Sequence, residues 1–210
     1  MDYANAQYAL VGPRLVEKLK QNNFNACYVA NRQAAVQAVL TLATVGDTVA
    51  FGGSMTIKEL ELGAAVKAHG CEVMSVQSGV SAEAMDKRRQ HLTADVYISS
   101  SNAITMDGEL VNTDSIGNRV AGMMFGPKRI VLVIGMNKLV KDINAGMERV
   151  KMVAAPQNSI LFARSTPCAK TGYCVNCNSP ERICNITTIM HKAPRGADIH
   201  VILVGESLGM

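Results

Sequence analysis

The chain has 210 residues, 48% hydrophobic but only 4% aromatic and without tryptophan, and its 21 basic and 17 acidic side chains leave a net charge of +4. That is enough apolar material for one large domain with a full core, which excludes a disordered chain, and too few rings for a base-stacking platform. The basic run Lys87-Arg88-Arg89 is short and reads as a solvated helix face, so no nucleic-acid partner is expected.

No apolar run approaches the roughly 18 residues of a membrane-spanning helix, and no basic-then-apolar leader opens the chain, so no membrane span and a cytoplasmic location are expected. The six cysteines are expected as reduced thiols or metal ligands rather than disulfides, given a large core and no export signal.

In chain order, Val11, Leu15 and Leu19 repeat at helical spacing, with Pro13 placed in the first turn. Phe24–Ala30 reads as a strand, and Val36, Val39, Leu40 and Ala43 as a helical stripe. Gly46-Asp47 turns into the strand Thr48–Phe51, and after Gly52-Gly53-Ser54 one helix is expected through Ile57, Leu60, Ala64 and Ala68 to a stop at Gly70. Glu72–Val76 is the next strand, Ser81–His91 the next helix, and Asp95–Ser99 a strand entering Ser100-Ser101-Asn102.

Asp107-Gly108, between Ala103–Met106 and Glu109–Asn112, predicts a hairpin with a type I′ turn. A helix over Asn118–Phe125 stops at Gly126-Pro127. Arg129–Gly135 is the most apolar strand, followed by a helix through Ile143, Met147, Val150 and Ala154 that Pro156 is expected to break. From Ser165 to Pro194 the chain turns rich in Cys, Asn, Pro and Gly before a last strand at Ile199–Val204. Strands separated by helices predict an α/β fold with a mainly parallel sheet and helices on both faces. Residues 1–210 are read as a single domain, with 165–194 as a cysteine-rich C-terminal appendage.

Three strand ends, at Phe51, Ser99 and Ile134, each run into a glycine-rich or polar loop. In a parallel sheet such loops converge on one edge, where ligands bind. Gly52 and Gly53 allow close backbone approach, Ser54 or Thr56 caps the following helix, and Thr56 with Glu59 fits a capping box. Ser101 and Asn102 supply hydroxyl and amide groups, and Glu109 and Asp114 are candidate acid/base carboxylates, whereas Asp107 is explained by its turn. Asn118 and Arg119 open an apolar helix, where a guanidinium can pair with carboxylate or phosphate. Asn137 and Lys138 follow the strongest strand, Lys138 as a point charge for an anion and Asn137 as its orienter.

The motifs GGSMTIKEL (52–60), SNAITMDGELVNTD (101–114), GNRVA (117–121) and FGPKRIVLVIGMNK (125–138) resemble those of the LUD-domain, or lactate-utilisation protein, family, over nearly the whole chain. The resemblance implies the fold shared by ribose-5-phosphate isomerases, glucosamine-6-phosphate deaminases and CoA transferases, whose equivalent loops take sugar phosphates or CoA esters. It also implies a place in or beside L-lactate oxidation, an oxidoreductive pathway, alongside iron–sulfur partner subunits.

Cys168, Cys174, Cys177 and Cys184 form C-x5-C-x2-C-x6-C. The x2 spacing lets two thiolates of one turn face one ion, and either tetrahedral zinc or a four-cysteine iron–sulfur cluster fits the set. The oxidoreductive setting of the resemblance adds weight to iron–sulfur. His191 is read as a bystander, Cys27 and Cys71 as buried small hydrophobes, and the twelve methionines as core.

The expectation is therefore a protein that binds a small anionic, CoA-like or sugar-phosphate-like ligand. Gly52, Gly53, Ser54 and Thr56 hold the anionic group, Arg119 and Lys138 neutralise it, and Glu109 or Asp114 handles a proton. The competing expectation is a non-catalytic ligand- or metal-responsive scaffold that docks to a redox partner. No complete set of nucleophile, base and orienting residue is legible, so enzyme status stays open, as does assembly into a homo-oligomer.

Overall fold

The computed structural model describes residues 3–76 and 78–210. Helix α1 (Tyr3–Gln21) leads into β1 (Asn25–Val29), followed by α2 (Arg32–Leu40) and β2 (Thr48–Phe51). Two short helices, α3 (Met55–Glu59) and α4 (Leu62–Ala68), precede β3 (Glu72–Val73), α5 (Ala82–Gln90) and β4 (Val96–Ser99). The hairpin β5 (Ala103–Thr105) and β6 (Leu110–Asp114) is followed by α6 (Asn118–Met124), β7 (Arg129–Gly135) and β8 (Leu139–Val140). Then come α7 (Ile143–Arg149), α8 (Ala155–Leu161), α9 (Pro167–Thr171), β9 (Ile186–Met190) and β10 (Asp198–Val204).

The main sheet has the order β1-β10-β7-β4-β2-β3, all parallel. Its central strands are buried on both faces, which is why Arg129–Gly135 and Ile199–Val204 read as continuous apolar runs. The two-residue period sorts their side chains. Ile130, Leu132 and Ile134 join Ile199, Val201 and Leu203 on one face, against α1 residues Leu15 and Leu19 and hairpin residues Ile104 and Leu110. Val131, Val133, Ile202 and Val204 face the other way, against Val39 of α2, Ile57 of α3 and Leu62 and Val66 of α4. Each such fully buried side chain contributes about 1.5–3 kcal/mol of burial free energy. Helices thus cover both faces, as expected.

Several local expectations need correction. Pro13 lies inside α1 rather than in its first turn, because the helix begins eight residues before Val11. The break this invites is offset by burial of Gly12, Leu15, Val16 and Leu19 along one face. The single helix expected after Gly53 is two, broken at Glu61, whose φ of 50° is left-handed. The strand at Glu72 pairs over two residues only. Pro156 does not end the helical run: Ile143–Leu161 continues through a π-helical turn at Val150–Ala154. A widened turn there relieves the clash of a proline ring with the carbonyl four residues back.

The hairpin forms, but only Gly108 has positive φ (79°) while Asp107 does not, so the turn is not type I′. Gly108 N–H donates to Thr105 O instead, the turn-plus-left-handed-glycine alternative. This hairpin also belongs to a second sheet, β8-β5-β6-β9, in which β9 pairs antiparallel with β6. A strand within the cysteine-rich 165–194 stretch therefore packs beside the hairpin. Cys71 is buried as expected, but Cys27 is exposed, because β1 is an edge strand.

Candidate functional site

The adjacent strands β10, β7, β4 and β2 run parallel and bring their C-terminal ends to one edge. Lys138 follows β7 in a single 3-10 turn, Met136–Lys138, that drives its side chain inward. It is 3% exposed, and its Nζ donates to Thr56 Oγ1 at 2.7 Å and Ser100 Oγ at 3.0 Å. Among the described residues it makes no ion pair. Burial, with Arg149 and Arg119 nearby, pushes its pKa down to about 7, against a smaller upward pull from Glu59.

Thr56 Oγ1 in turn donates to Leu208 O at 3.2 Å. The segment after β10 is therefore a strap across this edge. Asn137 Oδ1 accepts from Leu208 N–H at 3.1 Å and Glu59 Oε2 accepts from Gly209 N–H at 2.8 Å. A side chain at Gly209 would come within 2.6 Å of Thr56 Oγ1 and 3.4 Å of Lys138 Nζ. The capping box expected of Thr56 and Glu59 is not formed, because both side chains are drawn to the strap and Ser54 is the N-cap, without a side-chain bond.

Arg119 forms a second, buried hub beside the first, which burial makes easier to deprotonate. Its Nη1 donates to Ser100 O (3.0 Å) and Asn112 Oδ1 (2.7 Å), its Nη2 to Asn102 Oδ1 (3.0 Å) and Thr113 O (2.9 Å). Asn112 Nδ2 donates to Ser101 Oγ, and Ser101 Oγ to Ala103 O. Asp114 Oδ2 accepts from the N–H groups of Arg119 and Val120 at the start of α6. Arg119 thus laces β4, β6 and α6 into one loop layer.

Gly52 is required by close approach: a Cβ there would lie 2.5 Å from Ser99 Oγ, 2.8 Å from the Tyr97 hydroxyl and 2.9 Å from Arg119 Cγ. Gly53 faces open space. Ser99 Oγ is buried without a hydrogen-bond partner among the described residues.

A model of the LUD domain matches residues 12–204. The chain belongs to the LUD domain family. A solved structure, that of a DUF162 family protein from Deinococcus radiodurans, superposes with a TM-score of 0.56 over 93% of this chain and 97% of that one. At 12% identity the likeness establishes a shared fold. No curated protein matches the chain.

Within this LUD domain the structure gathers Thr56, Lys138 and Asn137 at one point, and Ser101, Asn102 and Arg119 at the neighbouring one. Asn118 is half-buried in the first turn of α6. Glu109 stands apart: its Oε1 meets His191 Nδ1 at 2.6 Å and its Oε2 accepts from Thr105 Oγ1 at 3.3 Å. Sequence reading passed over three participants. Ser100 was in view only as part of a polar run. Arg149, whose Nη1 donates to Asn102 O at 2.6 Å, carried no signal, since one arginine on a helix is ordinary. The strap at 206–209 could have been found by the logic that flagged the other strand ends, since it too follows a parallel strand.

The four tail cysteines are free thiols that line one small cavity with Ala155, Ser159, Thr166, Val175, Arg182 and Ile183. Burial, and then the neighbouring Cys174, Cys177 and Cys168, push the Cys184 thiol up, against Arg182. Among the described residues no three Cys, His, Asp or Glu side chains stand in ligating geometry about one point. No described helix is long and apolar enough to cross a membrane.

Proposed function

We propose that this LUD domain binds a small anion, a carboxylate or phosphate ester, at the edge formed by β2, β4 and β7, with Lys138 as its counter-charge. One observation carries the reading: a buried ammonium held by two hydroxyls, with Arg119 and Arg149 in range and no ion pair of its own among the described residues. An ammonium has three donors, and Thr56 and Ser100 take two of them. Burying such a charge without a partner is costly, and an incoming anion offsets that cost. The strap at Leu208-Gly209 lies where the anion would approach and gives way to it in this reading.

The other expected residues take supporting roles. Arg119 and Asp114 are positioning residues, since their polar atoms are committed to the loop layer. The proton-handling role expected of Glu109 and Asp114 passes to Lys138, which exchanges a proton near neutral pH. The family's link to lactate utilisation makes L-lactate the first candidate, with ribose 5-phosphate and coenzyme A as the phosphate-bearing alternatives. Thermal-shift and calorimetric titrations with these three test the reading. At least one is expected to stabilise the wild-type chain and to lose that effect in Lys138→Met. An equal shift in Lys138→Met would remove Lys138 from the site.

A further inference from the structure

The four tail cysteines invite an inference that does not rest on the anion site. Cys168 is anchored at the start of α9, where its thiol donates to Ser159 Oγ at 3.5 Å and lies 3.3 Å from Thr166 Oγ1. The other three lie on a stretch without helix or strand between Thr171 and Ile186. That stretch is nonetheless tied down. Arg182 donates to the carbonyls of Cys177 and Cys184 and to Asn176 Oδ1, and Cys174 N–H donates to Lys151 O.

Two details of the Cys174–Cys177 turn point to a thiolate site. Asn176 takes left-handed φ (49°) just before the second cysteine, and its N–H donates to Cys174 Sγ at 3.3 Å. An N–H aimed at sulfur favours the thiolate and orients it as a metal ligand. The cavity the four share has a volume of about 10 Å³, roughly that of one water-sized sphere. Its other walls include Ala155, Val175 and Ile183, so the lining beside the thiols is largely apolar.

We propose that Cys168, Cys174, Cys177 and Cys184 bind a single tetrahedral thiophilic cation of the zinc class. Four thiols around so small a space suit the tetrahedral demand of one zinc-like ion. Closure requires the Cys174, Cys177 and Cys184 side chains to turn inward, which their irregular segment permits. The four thiols release their protons to solvent as they bind a divalent ion, giving a site of net charge −2. Arg182, clasped to the backbone of two of the ligands, is the cation placed against that charge.

The test uses the full chain, purified anaerobically, stripped with a chelator and titrated with zinc or cobalt(II). The expected result is one ion per chain, thiolate-to-cobalt charge-transfer and tetrahedral d–d bands, and protection of four thiols from alkylation by zinc. Cys177→Ser is expected to weaken zinc binding at least 100-fold. Should that variant misfold, alkylation protection in the wild-type chain still decides. Stoichiometric iron with acid-labile sulfide would overturn the proposal, as would a chain that binds neither zinc nor cobalt and leaves all four thiols reactive.

Discussion

The strand-edge site and the cysteine segment are built in opposite ways. At the edge, four parallel strands of a buried sheet place the loops, and charged groups are sealed inside by mutual hydrogen bonds around Arg119 and Lys138. In the cysteine segment no regular element spans residues 172–185, and clasps from Arg182, Asn176 and Lys151 shape the chain. The first region therefore depends on the core and the core depends on it. The second can be altered while the sheet stands. Polar atoms buried at a sheet edge stabilise only when all are paired, whereas thiols are weak hydrogen-bond formers that tolerate a dry pocket.

The sharpest break in this comparison is Arg119→Ala. It removes four hydrogen bonds to two buried and two half-buried acceptors, and a loss of roughly 3–5 kcal/mol in chemical denaturation is expected, by analogy with breaking a buried charged network. A change below about 1 kcal/mol would show that the loop layer does not depend on this hub. Next, Gly52→Ala drives a methyl into Ser99, Tyr97 and Arg119 and is expected to cost about 1–3 kcal/mol by overpacking, measured as a fall in denaturation midpoint. Gly53→Ala, facing open space, serves as its contrast.

The pH dependence sharpens the edge site further. With a folded pKa near 7 against an ordinary 10.5, Lys138 is neutral in the folded chain and protonated in the unfolded one between those values. Its contribution to unfolding free energy therefore rises with pH across that window, and the penalty for the buried charge is fully present below pH 7. An anion selects the protonated form, so its affinity is expected to fall up to about tenfold per pH unit above 7. Calorimetric titrations across pH 6–9 should show matching proton uptake; a flat profile would refute Lys138 as the counter-charge. The smallest effect is expected from Cys177→Ser on the sheet core: global stability of the metal-free chain should change by less than about 1 kcal/mol, read by denaturation after chelation. A larger loss would erase the contrast between the two regions.

Much of the fold was legible because it is written in short-range pattern. The apolar runs at Arg129–Gly135 and Ile199–Val204, the Gly52-Gly53 turn and the Asp107-Gly108 hairpin all follow from local side-chain chemistry. So did three of the four loops at the site. What the pattern missed depends on partners far away in the chain. Pro156 reads as a helix stop, yet a π turn absorbs it. Thr56 and Glu59 read as a capping box, yet residues about 150 positions later claim both.

The sequence by itself determined that a buried parallel sheet would gather polar loops at one edge, since strand period and glycine placement are local properties. Only the tertiary structure decided which of those polar groups are tied to one another and which retain a free valence. Arg119 and Lys138 both read as anion ligands in sequence, but burial commits the Arg119 donors to Asn102, Asn112 and two carbonyls. Lys138 lands where, among the described residues, two hydroxyls meet it, and desolvation brings its proton within reach of neutral pH.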